Sequence, residues 1–375
     1  MEFKTFLFKV FMSDEAINRC SSILKSGYIG QGPVVDEFES RLRDYFNTQY
    51  LVTLNSATSG ISLALHLLKN KTSNWPGINE NDEILTTPLT CFATNAPIIN
   101  NNLNLKWVDV DLNTCNINLD DLERKITNKT KVIIVVHWGG TPVNLDYLNA
   151  ILDKSEKLYG FRPMIIEDCA HALGSSFNNK PIGSSGNICI FSFQAIKHIT
   201  SIDGGLLILP NSELYERAKL LRWYGISRED KGRTDFRCEE DILEAGFKYH
   251  MNDVCAGIGL ENFKYLNEIV DKQRNNAKYY LNNLTCKSLS TDINSSYWLY
   301  TISLDNRNDI MLKLKNNGIM SSRVHERNDK HSCMSKYKCL LPNLDYLTQH
   351  MLCIPVGWWI TEDELKLITK IINEG

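Results

Sequence analysis

An α/β fold is what this sequence predicts: a large domain built on a mostly parallel, helix-covered sheet, followed by a smaller α+β unit. Two features point there. Short, nearly continuous Val/Ile/Leu runs alternate with helical stretches through the first two-thirds of the chain, the pattern of parallel strands buried on both faces. From about residue 250 that alternation stops and long helical stretches take over. At 375 residues the chain also exceeds what one core usually serves. We therefore expect a large domain over residues 1–249 and a small one over 250–375.

Taken in order, "MEFKTFLFKVF" reads as a strand leading to a helix at Ser13. "LVTL" (51–54) runs into "SATSGISLALHLL", where Ile61, Leu65 and Leu68 recur at helical spacing. "EILTT" leads to a helical "FATNAPIIN", and "LKWVDV", "KVIIVVHW", "PMIIED", "ICIFSF" and "GLLILP" supply further strands. The amphipathic "SELYERAKLLRWYG" leads out of the sheet. Beyond it, "GLENFKYLNEIVDKQRNNAKYYLNNL" is helical, and "YWLYTISL" and "IMSSRVH" are strand-like. A last helix opens on the capping box of Thr361 and Glu364 in "TEDE".

Composition narrows the function. Hydrophobic content of 43% with 23% charged residues describes a soluble globular protein. A net charge of −3 gives no electrostatic reason to expect nucleic acid or an anionic membrane surface as partner. Eleven scattered cysteines with no CxxC pair suggest reduced thiols, a cytoplasmic setting and no metal site. The first residues carry Glu2, Lys4 and Lys9 and no small-residue cleavage site follows, so no signal peptide is expected. No run approaches the ~20 apolar residues of a membrane span.

The stretch "FSFQAIKHITSIDGG" (191–205) places Lys197 between an apolar strand and a glycine turn. Lysines are seldom buried unless paired; a desolvated amine has a lowered pKa and becomes a nucleophile suited to Schiff-base chemistry. Ligands in an open parallel sheet bind beyond the carboxyl ends of its strands, and several polar residues fall there. "SATSG" (56–60) sits between strand and helix, where Ala57, Thr58 and the helix dipole favour a phosphate, although Ser56 or Thr58 alone reads equally well as an N-cap. "MIIEDCAHALGS" puts Glu167, Asp168 and His171 just past another strand. Ser192 precedes Lys197 by five residues, and Phe92 in "PLTCFATN" follows a strand, where an aromatic can stack on a flat ring but more often simply fills the core. A phosphate cradle, an aromatic face, an acid and a Schiff-base lysine are together the parts that hold pyridoxal 5′-phosphate (PLP).

The segments "IGQGPVVDEFE", "PLTCFATN", "VDVDLNTCNI", "IEDCAHALGS", "FSFQAIKHITSIDGG" and "GFKYHMND" resemble, in order and over nearly the whole chain, the motifs of the DegT/StrS family of sugar aminotransferases. The resemblance implies the fold-type-I, aspartate-aminotransferase-like architecture and the cofactor PLP. It implies Lys197 as the cofactor lysine, Asp168 on the pyridine nitrogen, and His171 and Phe92 flanking the ring. Ala57, Thr58 and Ser192 would hold the phosphate. Many members read G-Y-N-Y-R-M where this chain has "GFKYHM"; their Asn reaches the phosphate of the neighbouring subunit, and Lys248 takes that position here. A homodimer with shared sites is therefore expected. Most members move an amino group from glutamate to a nucleotide-linked keto sugar, and a minority with histidine at the lysine position dehydrate the sugar at C-3. Lys197, although followed by His198, favours transamination. "PLTC.ATN" and "VHERNDKH" (324–331) resemble the perosamine-synthase-like branch, which aminates C-4 of 4-keto-6-deoxyhexoses for the amino sugars of surface glycans. "VHERNDKH" reads equally as a charged surface loop. Arg228 and His325 are the candidate sugar or diphosphate contacts. The rival nicotinamide reading rests on "GYIGQGPVV", where Gly30 and Gly32 are present but Val35 replaces the third glycine.

Overall fold

The computed structural model describes residues 3–72, 75–228 and 241–375. A seven-stranded sheet lies at its centre: β1 (Leu51–Leu54), β2 (Glu83–Thr86), β3 (Asn104–Trp107), β4 (Thr130–Val136), β5 (Met164–Asp168), β6 (Ile188–Ser192) and β7 (Gly205–Ile208). The spatial order is β1-β7-β6-β5-β4-β2-β3. Strand β7 is antiparallel to both its neighbours, and every other pair is parallel. Because β7 reverses twice, β1 runs with the parallel strands and its carboxyl end shares their edge.

Alternation along the strands divides the core into two faces. In β4, Ile133 and Val135 point to one face with Phe38 and Leu42 of α2 (Pro33–Phe46) and Leu148 and Ile151 of α6 (Leu145–Tyr159). Val132 and Ile134 point to the other, with Leu63 and Leu67 of α3 (Ala57–Lys69) and Ile98 of α4 (Phe92–Asn100). The same alternation in β5 sends Ile166 and Asp168 to the α3/α4 face and Ile165 and Glu167 to the opposite one.

Two glycine-containing segments are explained by close approach. At Gly205, the second glycine of "DGG", a Cβ would fall on the backbone of Ser56 and 2.6 Å from the Ala57 nitrogen. Only glycine lets β7 press against the start of α3. "GYIGQGPVV" is an anchor for α2: Asp253, at the start of α8 (Asp253–Phe263), accepts from the N–H groups of Gly32, Val34 and Val35 at 2.7, 3.3 and 3.1 Å. The segment leads from α1 (Asp14–Ser26) into α2 with no strand before it among the described residues, so the nicotinamide fingerprint has no counterpart there.

The C-terminal unit is a three-stranded antiparallel sheet of β8 (Lys287–Ser288), β9 (Tyr300–Ser303) and β10 (Met351–Ile354), covered by α10 (Arg307–Asn316) and α12 (Glu362–Asn373). Its own apolar cluster begins at Ala277, in the second half of α9 (Leu266–Asn283). Phe263, Leu266, Ile269 and Val270 pack instead into the core under the large sheet. On this packing we propose the domain border inside α9, later than the 249/250 border expected from the sequence. Among the described residues, the N-terminal segment expected as a strand makes one bridge, Thr5 to Ile319, and "IMSSRVH" contributes that bridge and another from Ser322 to Cys353. Helix α12 does open on the Thr361/Glu364 capping box.

Candidate active site

The carboxyl edge of the sheet gathers most of the residues singled out above. Ser56 caps α3, its hydroxyl accepting from Ser59 N–H at 3.1 Å. The N–H groups of Ala57 and Thr58, the first two helical residues, take no hydrogen bond among the described residues. Free N–H groups at a helix start favour an anion. Gly205 lies against them, and across the ladder it pairs with Ser192, the last residue of β6. Ser192 is buried, and its Oγ accepts from Gln194 N–H at 3.3 Å. Strand pairing thus brings Ala57, Thr58 and Ser192 to one corner of the edge.

Asp168 ends β5, two strand positions along from Ser192 across the β5–β6 pair. It is buried, and its carboxylate accepts from the Thr94 hydroxyl at 2.6 Å and from Ala170 N–H at 3.1 Å. Glu167 occupies the opposite face. Its two oxygens take Nε2 of His137 at 2.9 Å, Asn187 Nδ2 at 2.7 Å and the Ser185 hydroxyl. Despite complete burial, these donors hold the Glu167 carboxyl below its ordinary pKa. His137 Nδ1 accepts from Val143 N–H at 3.0 Å, so its one ring proton is the one shared with Glu167. That cluster is a closed structural network, and Asp168 is the carboxylate left facing the site.

Lys197 stands in the turn after β6, its N–H donating to Gln194 O at 2.9 Å. As a residue it is half-buried. Desolvation lowers its amine to a pKa of about 8, against an upward pull from Asp168 and Cys91. The amine lies over the indole of Trp298, 3.6 Å from the ring centroid. Trp298 in turn stacks on His171 at 3.8 Å with 22° between planes. His171 is buried and accepts at Nδ1 from Gly139 N–H at 3.4 Å; burial first, then Lys197, pushes it well below the ordinary imidazole range. It is neutral and carries its proton on Nε2.

His325 joins this group from the C-terminal unit. Its ring is nearly parallel to that of His171 at 5.8 Å and edge-on to Trp138 at 5.9 Å. Its Nε2 is buried without a hydrogen-bond partner among the described residues, and burial lowers its pKa to about 4. The segment around it is not a surface loop. Asn328 is fully buried, donating to Thr90 O at 2.8 Å and accepting from Asn95 at 2.8 Å, while Arg327 pairs with Asp329 and Asp345. These contacts lock "HERND" against the start of α4.

The remaining candidates lie elsewhere. Phe92, the first residue of α4, meets His331 edge-on at 5.1 Å; its neighbour Cys91 is the side chain that acts on Lys197. Lys248 is exposed, and its carbonyl accepts from Asn55 at 3.3 Å, next to the α3 cap. Arg228 donates to Gln31 O at 2.8 Å and lies over Trp223 at 4.8 Å, on the rim of a polar depression of about 360 Å³ with Asp36, Arg43 and Lys219. No contact joins Arg228 to the Lys197 group among the described residues. Trp298, Trp138 and Thr94 were not anticipated. Only Thr94 had a signal, standing in the quoted "PLTCFATN".

Fold and site together define a class, the fold-type-I PLP-dependent aminotransferases. The profile of the DegT/DnrJ/EryC1/StrS aminotransferase family matches residues 11–373, and the chain belongs to that family. Among solved structures it is similar to AtS13 of Actinomadura melliaura, at 44% identity and a TM-score of 0.93 over 100% of this chain and 99% of that one. It is also similar to the sugar aminotransferase CalS13 of Micromonospora echinospora, at 38% identity and a TM-score of 0.91 over 98% and 99%. A UDP-4-amino-4-deoxy-L-arabinose–oxoglutarate aminotransferase of Shewanella sediminis is 34% identical over 279 residues, 73% of this chain and 67% of that protein. Among the described residues, no helix is long and apolar enough to cross a membrane.

Proposed function

We propose that this enzyme transfers an amino group from glutamate to the ketone of a nucleotide-linked sugar, a 4-keto-6-deoxyhexose aminated at C-4, in the cytoplasm and for the amino sugars of surface glycans. The observation that carries the reading is the Lys197 amine, brought down to a pKa of about 8 beside a buried carboxylate and two neutral imidazoles. The Shewanella relative's name pairs a 4-amino-4-deoxy sugar with oxoglutarate, the keto acid left when glutamate gives up its amino group, which supports the sugar position and the donor. Lysine rather than histidine at position 197 supports transamination over dehydration.

The residues fit PLP. The unpartnered N–H groups of Ala57 and Thr58, the Thr58 hydroxyl and Ser192 supply an anion cradle that a Cβ on Gly205 would disrupt. When bound, PLP supplies an aldehyde that carries the amino group and a ring that takes up electrons. Lys197 would hold the cofactor, and its amine would move a proton to and from the substrate carbon. Asp168 would keep the ring nitrogen protonated, because a nearby anion favours the charged form. His171, neutral and stacked on Trp298, walls one side, and the orphaned Nε2 of His325 is a donor or acceptor for the sugar. Phe92 has its ring against His331. Arg228, which lies over Trp223, makes no contact with the Lys197 group among the described residues.

Glutamate alone should bleach the absorbance band of the bound cofactor, and the correct keto sugar should restore it. A band unmoved by glutamate, with ammonia released when the pyridoxamine form meets a keto sugar, would overturn the reading in favour of dehydration. We also propose a homodimer in which Lys248 of the partner subunit reaches the cofactor phosphate. Inactive Lys197→Ala and Lys248→Ala chains, mixed under conditions of subunit exchange, should regain some activity. No recovery after proven exchange would mean that each site is built from one chain.

A further inference from the structure

We propose that Trp298 is a positioning residue for Lys197: its indole is the shelf on which the free ammonium rests, and its N–H fixes the turn that carries the lysine. The inference rests on the reading of Lys197 given above. Trp298 is only 4% exposed. Its Nε1–H donates to the carbonyl of Ile196 at 2.9 Å, one residue before Lys197. Its rings receive the Lys197 amine at 3.6 Å, His171 at 3.8 Å and Phe8 at 4.8 Å. A tryptophan that merely filled the core would meet apolar groups. This one meets a cation on its π-system and ties the backbone beside it.

The arrangement suits a lysine that must serve as base and then as acid. Around the amine, Asp168 and Cys91 favour the ammonium, whereas His171, His198 and His325 are neutral, each lowered by burial. The indole adds attraction for the ammonium alone, because the ring quadrupole acts on the charged form and acts most strongly when water is excluded. The protonated lysine is therefore kept beside the reacting carbon instead of swinging out to solvent.

The test uses the protein free of cofactor, reductively methylated with ¹³C-formaldehyde and cyanoborohydride and titrated by NMR, with the Lys197 signal identified by its loss in Lys197→Arg. Trp298→Phe keeps an aromatic face, and Trp298→Leu removes it. The Lys197 midpoint should fall by about one pKa unit, a tenfold change, in Trp298→Leu relative to Trp298→Phe. The wild-type signal should also be displaced by the ring current of the indole. Equal midpoints in all three proteins would overturn the proposal. Should Trp298→Leu fail to fold, a wild-type Lys197 signal lying among those of the exposed lysines would overturn it alone. Neither measurement involves the cofactor. Borohydride fixation of PLP to a different lysine in the loaded wild type would instead strike the reading of Lys197 itself.

Discussion

Lys197→Ala is expected to keep its fold and to lose transamination by about 10²–10⁴-fold or more, the range for a lost proton-transfer group. The loss should reach the upper end because, in the proposed function, the same side chain also holds the cofactor. Stability argues the same way. An amine lowered from its ordinary value to about 8 opposes folding below pH 8, where the folded site must hold it charged, and this penalty fades as pH rises from 8 towards the unfolded value. Removing it should therefore not lower the unfolding midpoint at pH 7. Turnover and thermal unfolding of the variant check both halves. Borohydride reduction of the loaded wild type should label the peptide that contains Lys197. Turnover within tenfold of wild type would remove Lys197 from the reaction.

The site was legible where neighbours in sequence become neighbours across strands. Asp168 and Ser192 end adjacent parallel strands, and Ala57 follows a third strand on the same edge, so the rule that ligands sit beyond strand ends was enough to group them with Lys197. The resemblance chose Asp168 over Glu167; in the structure alternate residues of the strand face opposite ways, and the partners of Glu167 lie on the far face. Trp298 could not be found this way. It reaches Lys197 from about a hundred residues further along, through the docking of the C-terminal unit, and no local pattern marks it as different from a core tryptophan.

His325 was visible only as one of two readings of "VHERNDKH". Burial of Arg327, Asn328 and Asp329 decides against a surface loop, because these side chains satisfy one another and the backbone of Thr90. The fold shows a similar division. The large-sheet strands were readable as apolar runs, whereas β10, four residues following directly on a helix, had neither length nor turn residues to announce it. Helix α8 looked like part of the second unit by position. Its packing against α1 and α2 depends on Asp253 capping α2, a contact over more than two hundred residues.

Asp168→Asn should cut turnover by about 10²–10³-fold, the usual effect of removing one positioned catalytic charge, while costing about 1–3 kcal/mol of stability. Two donors point at the carboxylate, the Thr94 hydroxyl and the Ala170 N–H. An asparagine offers one oxygen and one NH₂, so it satisfies one of them directly. The Thr94 hydroxyl can rotate to accept from the NH₂, and the fold should survive. No such adjustment replaces the charge. An amide does not hold a proton on a pyridine nitrogen, and Glu167 is no substitute, being buried behind the strand with His137, Ser185 and Asn187. Loss of the Asp168 charge also removes the main upward pull on Lys197, so the midpoint of the amine should move below about 8. Turnover, denaturant unfolding and the Lys197 titration together separate the effects. Near-normal turnover with the titration midpoint unchanged would show that Asp168 neither protonates the ring nor acts on the lysine.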